Sequence, residues 1–347
     1  MNIRTFKEEF DAVFFTQLRQ YIAEARAYTQ TPESTRAIDH IEALASNGKR
    51  IRPYNTALAY CIYSHKDSWQ DIVPVLVGIE LIHLFALVHD DVMDKAEHRH
   101  GVLTAQEVVK QDIAPKTTQL LAEHISNSEA ILIGDLIFSW AYRSLSAYPL
   151  SPLAWNTVHK LTEEVTVGQM IDILSPLEKQ ISFDIVVQKT LLKTARYSFT
   201  RPLYIGAYCA GVDQKSVEWI EAFGDALGLL FQTQDDILDI TADAQTLKKD
   251  PLGDIRNGVH TLLSLYVSEH ASLEQKAQWQ KWFGASECTD QQAVVAFLTE
   301  VGALAYAEKY IADQKEIAEK TLTNSDIPEN AKAEFLQVVS MLTARTH

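Results

Sequence analysis

Two short aspartate clusters carry the clearest chemical pattern in this chain of 347 residues. The first lies in LVHDDVMD (residues 87–94), where an apolar, helix-like pattern ends. In an α-helix, residues i and i+4 share a face and residue i+1 is offset by about 100°. Asp90 and Asp94 are therefore expected on one side of their helix, with Asp91 beside them. A second cluster with the same spacing ends FQTQDDILD (residues 231–239) and contains Asp235, Asp236 and Asp239.

Carboxylates held this close repel one another, by roughly 4 kcal/mol for a pair about 4 Å apart at an effective dielectric constant of 20. A shared cation removes that repulsion. Oxygen ligands without His or Cys suit Mg²⁺, or Mn²⁺, better than zinc. A solvated helix end is the alternative for either cluster alone, and a di-iron bundle would need Glu and Glu-x-x-His ligands, which these segments lack. Mg²⁺ held by one or two carboxylates usually completes its shell with waters and phosphate oxygens. We therefore predict two helices that face each other across a cavity and hold magnesium on a phosphate-bearing substrate.

Further charged residues could complete such a site. Asp172, at the end of VGQMID (residues 167–172), is a candidate third carboxylate, although a surface Asp is the default interpretation. SNGKRIRP (residues 46–53) places three cations within four positions beside a glycine, a pattern that suits phosphate oxygens but also occurs in solvated turns. His83 shares roughly one helix face with Asp90, where a lone histidine is more often a core residue.

Composition and charge restrict the possible partners. The formal net charge of −15 argues against a nucleic-acid surface, which needs a basic stripe. An anionic substrate would need cations supplied locally. Cys61, Cys209 and Cys288 lie far apart without CxxC spacing, so neither a zinc site nor a disulfide framework is predicted, and a cytoplasmic location fits. The first residues have no apolar signal core, and the apolar stretch 72–88 predicts a buried helix rather than a membrane span.

Helix signals dominate the chain. Pro32, Pro152 and Pro328 are each placed to begin a helix. Apolar residues recur at three- and four-residue steps, and strand-like alternation is hard to find. No linker divides the sequence. We predict an all-α fold, with residues 1–347 forming a single domain built as one large bundle of mostly antiparallel helices.

The ordered set of motifs resembles the trans-type isoprenyl diphosphate synthases (polyprenyl synthetases). The resemblance covers roughly residues 48–263, and its motifs follow the family's order. They are GKRIRP (48–53), IHLFALVHDDVMD (82–94), GQMID (168–172), KTARYSF (193–199) and FQTQDDILD (231–239). Each motif is modest alone, whereas the ordered set is highly specific. The resemblance implies helices around a deep central cavity, and a homodimer.

The resemblance also implies a reaction. An allylic diphosphate of C5 to C15 loses its diphosphate with the help of magnesium, three ions in all, and isopentenyl diphosphate attacks the resulting cation. The roles carried over are these: metal ligands Asp90, Asp91, Asp94, Asp172, Asp235 and Asp239; isopentenyl diphosphate on Lys49, Arg52 and His83; the allylic diphosphate on Arg99, Lys193 and Lys249; and the reacting centre lined by Thr194 and Gln169. Catalysis would depend on Asp90, Asp94, Gln169, Lys193, Thr194 and Asp235.

Three positions depart from the family pattern. His100 replaces a second arginine expected to help hold isopentenyl diphosphate, Val259 stands where GK-x-T has a lysine, and Leu103 replaces a proline. A non-catalytic subunit of a heteromeric synthase is therefore an alternative. The intact aspartate motifs favour an active enzyme. They also disfavour a terpene cyclase, which usually carries an Asn/Ser/Glu pattern at the second motif.

Product length is expected to depend on the residues just before Asp90. Phe85 and Ala86 stand five and four residues before it. One aromatic beside a small residue resembles family members that stop at C20, geranylgeranyl diphosphate. Two aromatics would indicate C15, and two small residues a longer chain. Phe85 as ordinary core is the alternative.

Overall fold

The structure is a computed structural model that describes residues 1–99, 101–178, 181–242, 251–285, 288 and 290–343. The described part is almost entirely helical, which confirms the predicted all-α class. The exception is a short antiparallel hairpin of β1 (His98–Arg99) and β2 (Val102–Leu103), in which Arg99 pairs with Val102.

The chain divides into two compact units. Unit 1 comprises Met1–Pro152 and Tyr208–Gly211, and unit 2 comprises Leu153–Ala207 and Val212–His347. The single domain expected over residues 1–347 stays a prediction.

The helices that begin in unit 1 are α1 (Ile3–Arg26), α2 (Pro32–Ala45), α3 (Ile51–Ser64), α4 (Val73–Met93), α5 (Ala105–Ile113), α6 (Gln119–Leu145) and α7 (Pro152–Leu174). Those that begin in unit 2 are α8 (Phe183–Thr190), a π-helix (Leu191–Thr200), α9 (Arg201–Cys209), α10 (Trp219–Thr241), α11 (Gly253–Arg256), α12 (Leu262–His270), α13 (Leu273–Trp279), α14 (Gln291–Val301), α15 (Ala303–Asn324) and α16 (Glu329–Thr343). Among the described residues, four three-residue 3₁₀ helices lie at Gln70–Ile72, Ala114–Lys116, Ser175–Leu177 and Lys215–Val217.

Proline begins helices where the sequence predicted it. Helices α2 and α7 start at Pro32 and Pro152, and α16 starts one residue after Pro328. Proline suits a first turn because its missing N–H has no intrahelical partner there.

Helix α4 is the apolar centre of unit 1 and packs along α6. The two backbones come close at Gly78, where an added Cβ would lie 3.0 Å from the Ala141 carbonyl oxygen. The segment Gln70–Met93 is long and apolar enough to cross a membrane, but 61% of its most apolar window is buried inside the protein. That degree of burial is typical of a core helix, and one such segment is weak evidence for a membrane span.

A buried arginine organises the turn before α3. Arg50 adopts a left-handed conformation with φ of 54°. Its guanidinium donates to Asp11 Oδ1 at 2.6 Å, to Glu80 Oε1 at 2.6 Å and to the Ala45 carbonyl at 2.7 Å. Its Cζ lies 4.8 Å from the centroid of the Phe14 ring. One of the three cations in the basic run is therefore committed to the fold.

Replacing Arg50 with alanine should strongly destabilise unit 1, because the buried Glu80 carboxylate would lose its cation and the half-buried Asp11 would keep the pair with Lys7 but lose Arg50. We expect the Arg50→Ala chain to lose about 3–5 kcal/mol in free energy of unfolding, measured by urea denaturation. The matched control is Arg19→Ala, whose ion pair with Glu42 is solvent-exposed and should contribute less than about 1 kcal/mol. Equal losses in the two variants would contradict this account.

Candidate functional site

The first aspartate cluster lies at the end of α4. The helix ends at Met93. Asp94 still donates its N–H to the Asp90 carbonyl at 2.8 Å, so the two aspartates are one helical turn apart, as predicted. Asp91 is buried, with 1% of its surface exposed, whereas Asp94 is exposed. From β1, Arg99 donates Nε to Asp91 Oδ1 at 2.6 Å and Nη2 to Asp90 Oδ2 at 3.1 Å. Arg99 therefore pairs with two members of this cluster.

Backbone carbonyls in this turn are fixed by two side chains that the sequence did not single out. Gln106 donates Nε2 to the Asp91 carbonyl at 3.0 Å and to the Ala96 carbonyl at 2.8 Å. Thr104 donates its hydroxyl to the Ala96 carbonyl at 2.8 Å. Because these bonds join non-adjacent segments, no local sequence pattern predicts them.

In unit 2, Asp172 lies between two lysines. Lys193 Nζ is 2.5 Å from Asp172 Oδ2, and Lys189 Nζ is 2.9 Å from Asp172 Oδ1. Burial raises the pKa of this carboxyl, but the two ammonium groups outweigh it and hold the pKa below its ordinary value. The sequence predicted the nearness of Asp172 and Lys193 through the resemblance, but it did not identify Lys189.

Lys193 and Thr194 lie on the π-helix, which is tightly packed by glycines. An added Cβ on Gly168 of α7 would lie 2.5 Å from the Lys193 backbone nitrogen. A Cβ on Gly228 of α10 would lie 2.1 Å from Ala195 Cα. Such close approach of backbones requires glycine. Sequence periodicity indicated an ordinary α-helix here, and the wider π-helix is a geometry that often marks functional sites.

The second aspartate cluster lies on α10 and is connected to the π-helix by hydrogen bonds. Thr194 donates its hydroxyl to Gln232 Oε1 at 2.8 Å, and Gln232 donates Nε2 to Asp236 Oδ1 at 2.8 Å. Asp236 is buried, and burial together with the nearby charge of Asp254 raises its pKa above the ordinary value. Asp235, one position earlier, is half-buried.

Asp239 has a different position from the other members of its cluster. It is 2% exposed, and its Oδ2 accepts the backbone N–H of Asp254 at 3.1 Å. Its carbonyl accepts the N–H of Leu252, a residue with φ of 63°. Asp239 therefore fixes the returning backbone before α11, a role that the repeated D-D-x-x-D spacing did not reveal.

Several of these unit 2 residues line a pocket of about 100 Å³, whereas Asp235 and Asp239 do not. It is lined by Asp172, Lys189, Thr190, Lys193, Thr194, Gln232, Asp236, Asp254, Val259, His260 and Thr261. Three carboxylates and two ammonium groups thus meet around a space that could take a phosphate group with a bound cation.

The donor chemistry fits magnesium completed by a substrate. Among the residues that the structure describes, no three His, Cys, Asp or Glu side chains are grouped as a ready metal site. Magnesium in proteins is commonly held by one or two carboxylates plus substrate phosphates. The neighbouring aspartates at the end of α4 and those that line the unit 2 pocket match this requirement. Burial raises the pKa of Asp91 to about 6, although Arg99 lowers it, and a divalent cation beside such a carboxyl would favour its ionised form.

The remaining predicted binding residues are located as follows. Lys49 is exposed just before α3, Arg52 is half-buried on α3, His83 is half-buried on α4 and Gln169 is half-buried on α7. His100 and Lys249 lie outside the described residues. The ligand and substrate roles assigned to all these side chains stay predictions.

Phe85, the predicted product-length residue, belongs to a half-buried aromatic row in unit 1. Its ring centroid lies 4.7 Å from that of Phe138 on α6, and Phe138 lies 4.9 Å from Tyr142. Ala86 beside it is also half-buried. Phe138 was not identified from the sequence, because its contact with Phe85 joins two helices.

Comparisons with known proteins agree with the motifs. The polyprenyl synthetase family model matches residues 34–301. Geranylgeranyl diphosphate synthase of Methanosarcina mazei is 28% identical over 314 residues, which cover 87% of each chain. Geranylfarnesyl diphosphate synthase of Aeropyrum pernix is 26% identical over 277 residues, covering 77% of this chain and 80% of the relative. A crystal structure of geranylgeranyl pyrophosphate synthase from Corynebacterium glutamicum, complexed with isoprenyl diphosphate and magnesium, superposes with a TM-score of 0.87 at 26% identity. It covers 97% of this chain and 99% of that one.

Adding a methyl group at Gly168 should separate α7 from the π-helix. We expect Gly168→Ala to lower the free energy of unfolding by about 1–3 kcal/mol, the usual cost of overpacking. The neighbouring Val167→Ala, at an exposed position, should change stability by less than about 0.5 kcal/mol. Urea denaturation of both variants measures the difference. A Gly168→Ala chain as stable as the Val167→Ala chain would show that the close approach is not required.

Proposed function

Because the chain belongs to the polyprenyl synthetase family and is therefore a trans-prenyltransferase, we propose that it condenses isopentenyl diphosphate with a C5 to C15 allylic diphosphate and releases C20 geranylgeranyl diphosphate. The observation that carries the proposal is the unit 2 pocket, where Lys193 lies 2.5 Å from the Asp172 carboxylate. Cations and carboxylates around one small space are what a metal-bound diphosphate requires.

The proposed metal ligands are the carboxylates of Asp90 and Asp94 in unit 1 and of Asp172 and Asp235 in unit 2. Asp91 and Asp239 are engaged by Arg99 and by the Asp254 backbone, so we assign them supporting roles or contact through water. We propose three Mg²⁺ ions, with Mn²⁺ as a possible substitute. When bound, the metal neutralises the diphosphate and stabilises it as a leaving group.

The chain's own residues then bind and orient the substrates. We assign the allylic diphosphate to Lys193 and Arg99, whose positive charges stabilise the charge that develops on the departing group. Thr194 is oriented by its hydrogen bond to Gln232, and with Gln169 it is assigned to the reacting centre. Lys49, Arg52 and His83 are assigned to isopentenyl diphosphate, with His100 and Lys249 as further contacts.

Product length is proposed from the aromatic row rather than from family membership, since the relatives include synthases named for different products. Phe85 packed on Phe138 would end an apolar tunnel, and the small Ala86 beside it leaves room for a C20 chain. A C15 or longer product is the alternative. We further propose a cytoplasmic homodimer.

A non-catalytic subunit is the second candidate. It is favoured by Val259, an apolar residue that lines the pocket where the resemblance would place a lysine, and by His100, which stands where the resemblance would place a second arginine.

The deciding experiment incubates the purified chain with Mg²⁺, isopentenyl diphosphate and each of the C5, C10 and C15 allylic diphosphates. We expect C20 product by chromatography, and loss of at least 99% of the activity when EDTA removes the metal, with recovery on excess Mg²⁺. No product from any starter would contradict the enzyme proposal and favour the subunit.

Shortening Phe85 should lengthen the product. Phe85→Ala removes the ring that packs on Phe138, so the growing chain should pass that point and reach C25 or longer, measured by sizing radiolabelled products. The control is Phe183→Ala, which truncates an aromatic residue in unit 2 and should leave the length unchanged. An unchanged product from Phe85→Ala would exclude Phe85 as the length determinant.

A further inference from the structure

Lys189 is a buried cation that none of the recognised motifs contains. It lies at the end of α8 with 7% of its surface exposed. Its ammonium donates to the His260 carbonyl at 2.8 Å and lies 2.9 Å from Asp172 Oδ1. It also lines the same pocket as Lys193. A lysine is rarely buried without a strong charge partner, so its position needs an explanation.

Neutralising Asp172 alone does not explain Lys189, because the other oxygen of that carboxylate already has Lys193 at 2.5 Å. Asp236 and Asp254 line the same pocket, so its two ammonium groups face three carboxyl groups and leave no surplus of positive charge. Both lysines nevertheless border the open space, where an ammonium group can donate charge-assisted hydrogen bonds to phosphate oxygens. Two such donors at one pocket favour an anionic ligand.

The segment 259–261, which also lines the pocket, explains why α8 supplies this charge. Val259, His260 and Thr261 line the pocket without contributing a lysine or arginine. The ammonium of Lys189 reaches this segment, since its acceptor is the His260 carbonyl. Lys189 thus brings positive charge to a wall whose own residues have none.

We propose that Lys189 is a diphosphate-binding residue that holds the diphosphate of the allylic substrate together with Lys193. The ligand identity rests on the proposed function, whereas the anion site rests on the geometry. Lys189 donates charge-assisted hydrogen bonds to phosphate oxygens, and it does so in place of a lysine at position 259. The contact adds no covalent step to the reaction.

The test measures binding of inorganic diphosphate, with Mg²⁺ present, by titration calorimetry. Lys189→Met, which keeps most of the apolar stem, should bind diphosphate about 10- to 100-fold more weakly, as expected for a lost charge-assisted hydrogen bond. Lys215→Met removes an exposed lysine of unit 2 and should bind within threefold of the wild type. The double variant Lys189→Met/Val259→Lys, which returns an ammonium group to the pocket from position 259, should regain at least tenfold in affinity.

Two results would overturn the proposal: an affinity of Lys189→Met within threefold of the wild type, or no recovery in the double variant. If Lys189→Met does not fold, as judged by circular dichroism, Lys189→Gln carries the same test, because its amide retains N–H donors for Asp172 and His260. Steady-state kinetics separate this inference from the proposed function. A wild-type chain that binds diphosphate through Lys189 but forms no product would refute only the enzyme. An active chain with unchanged diphosphate binding in Lys189→Met would refute only this inference.

Discussion

Carboxylates that lie out of water need positive charge beside them, and this acidic chain meets that need locally. Arg50 forms ion pairs with Asp11 and Glu80. Arg99 pairs with the first aspartate cluster, and Lys193 and Lys189 of unit 2 pair with Asp172. Each cation reaches its carboxylate from a different segment of the chain. The ion pairs around the candidate site therefore also hold segments of the chain together. Ligand binding and folding thus depend on the same need to balance buried charge.

Sequence reasoning was most successful where a motif is local. The four-residue spacing of Asp90 and Asp94, the prolines that begin helices and the all-α class all follow from short-range pattern. It was less successful where a role depends on a distant partner. Nothing in the sequence around Lys189 distinguishes it from other lysines near a helix end, because its contacts with Asp172 and His260 are long-range. The contact of Phe138 with Phe85 likewise joins two helices and has no local sequence signal.

Residues of similar type within one motif have different roles in the structure. Arg50 in the basic run is buried and supports the turn before α3, whereas Lys49 beside it is exposed. Asp239 has the spacing of a ligand, yet its carboxylate accepts the backbone N–H of Asp254 in the first turn of α11. Spacing determines which side chains share a helix face. Their exposure, and hence their availability to a ligand, is determined by tertiary packing.

The π-helix has a consequence for protein engineering. A π turn contains more residues than an α turn, so Leu191–Thr200 cannot be idealised to α geometry without changing its register. Deleting one residue after Lys193 would rotate the following side chains by about 100° relative to those before it. Ala195 would then leave the surface that Gly228 packs against. Chimeras and loop grafts should therefore exchange this segment whole, together with α7 and α10. The glycines of those two helices pack directly against the π-helical backbone, so the three segments must keep matching geometry.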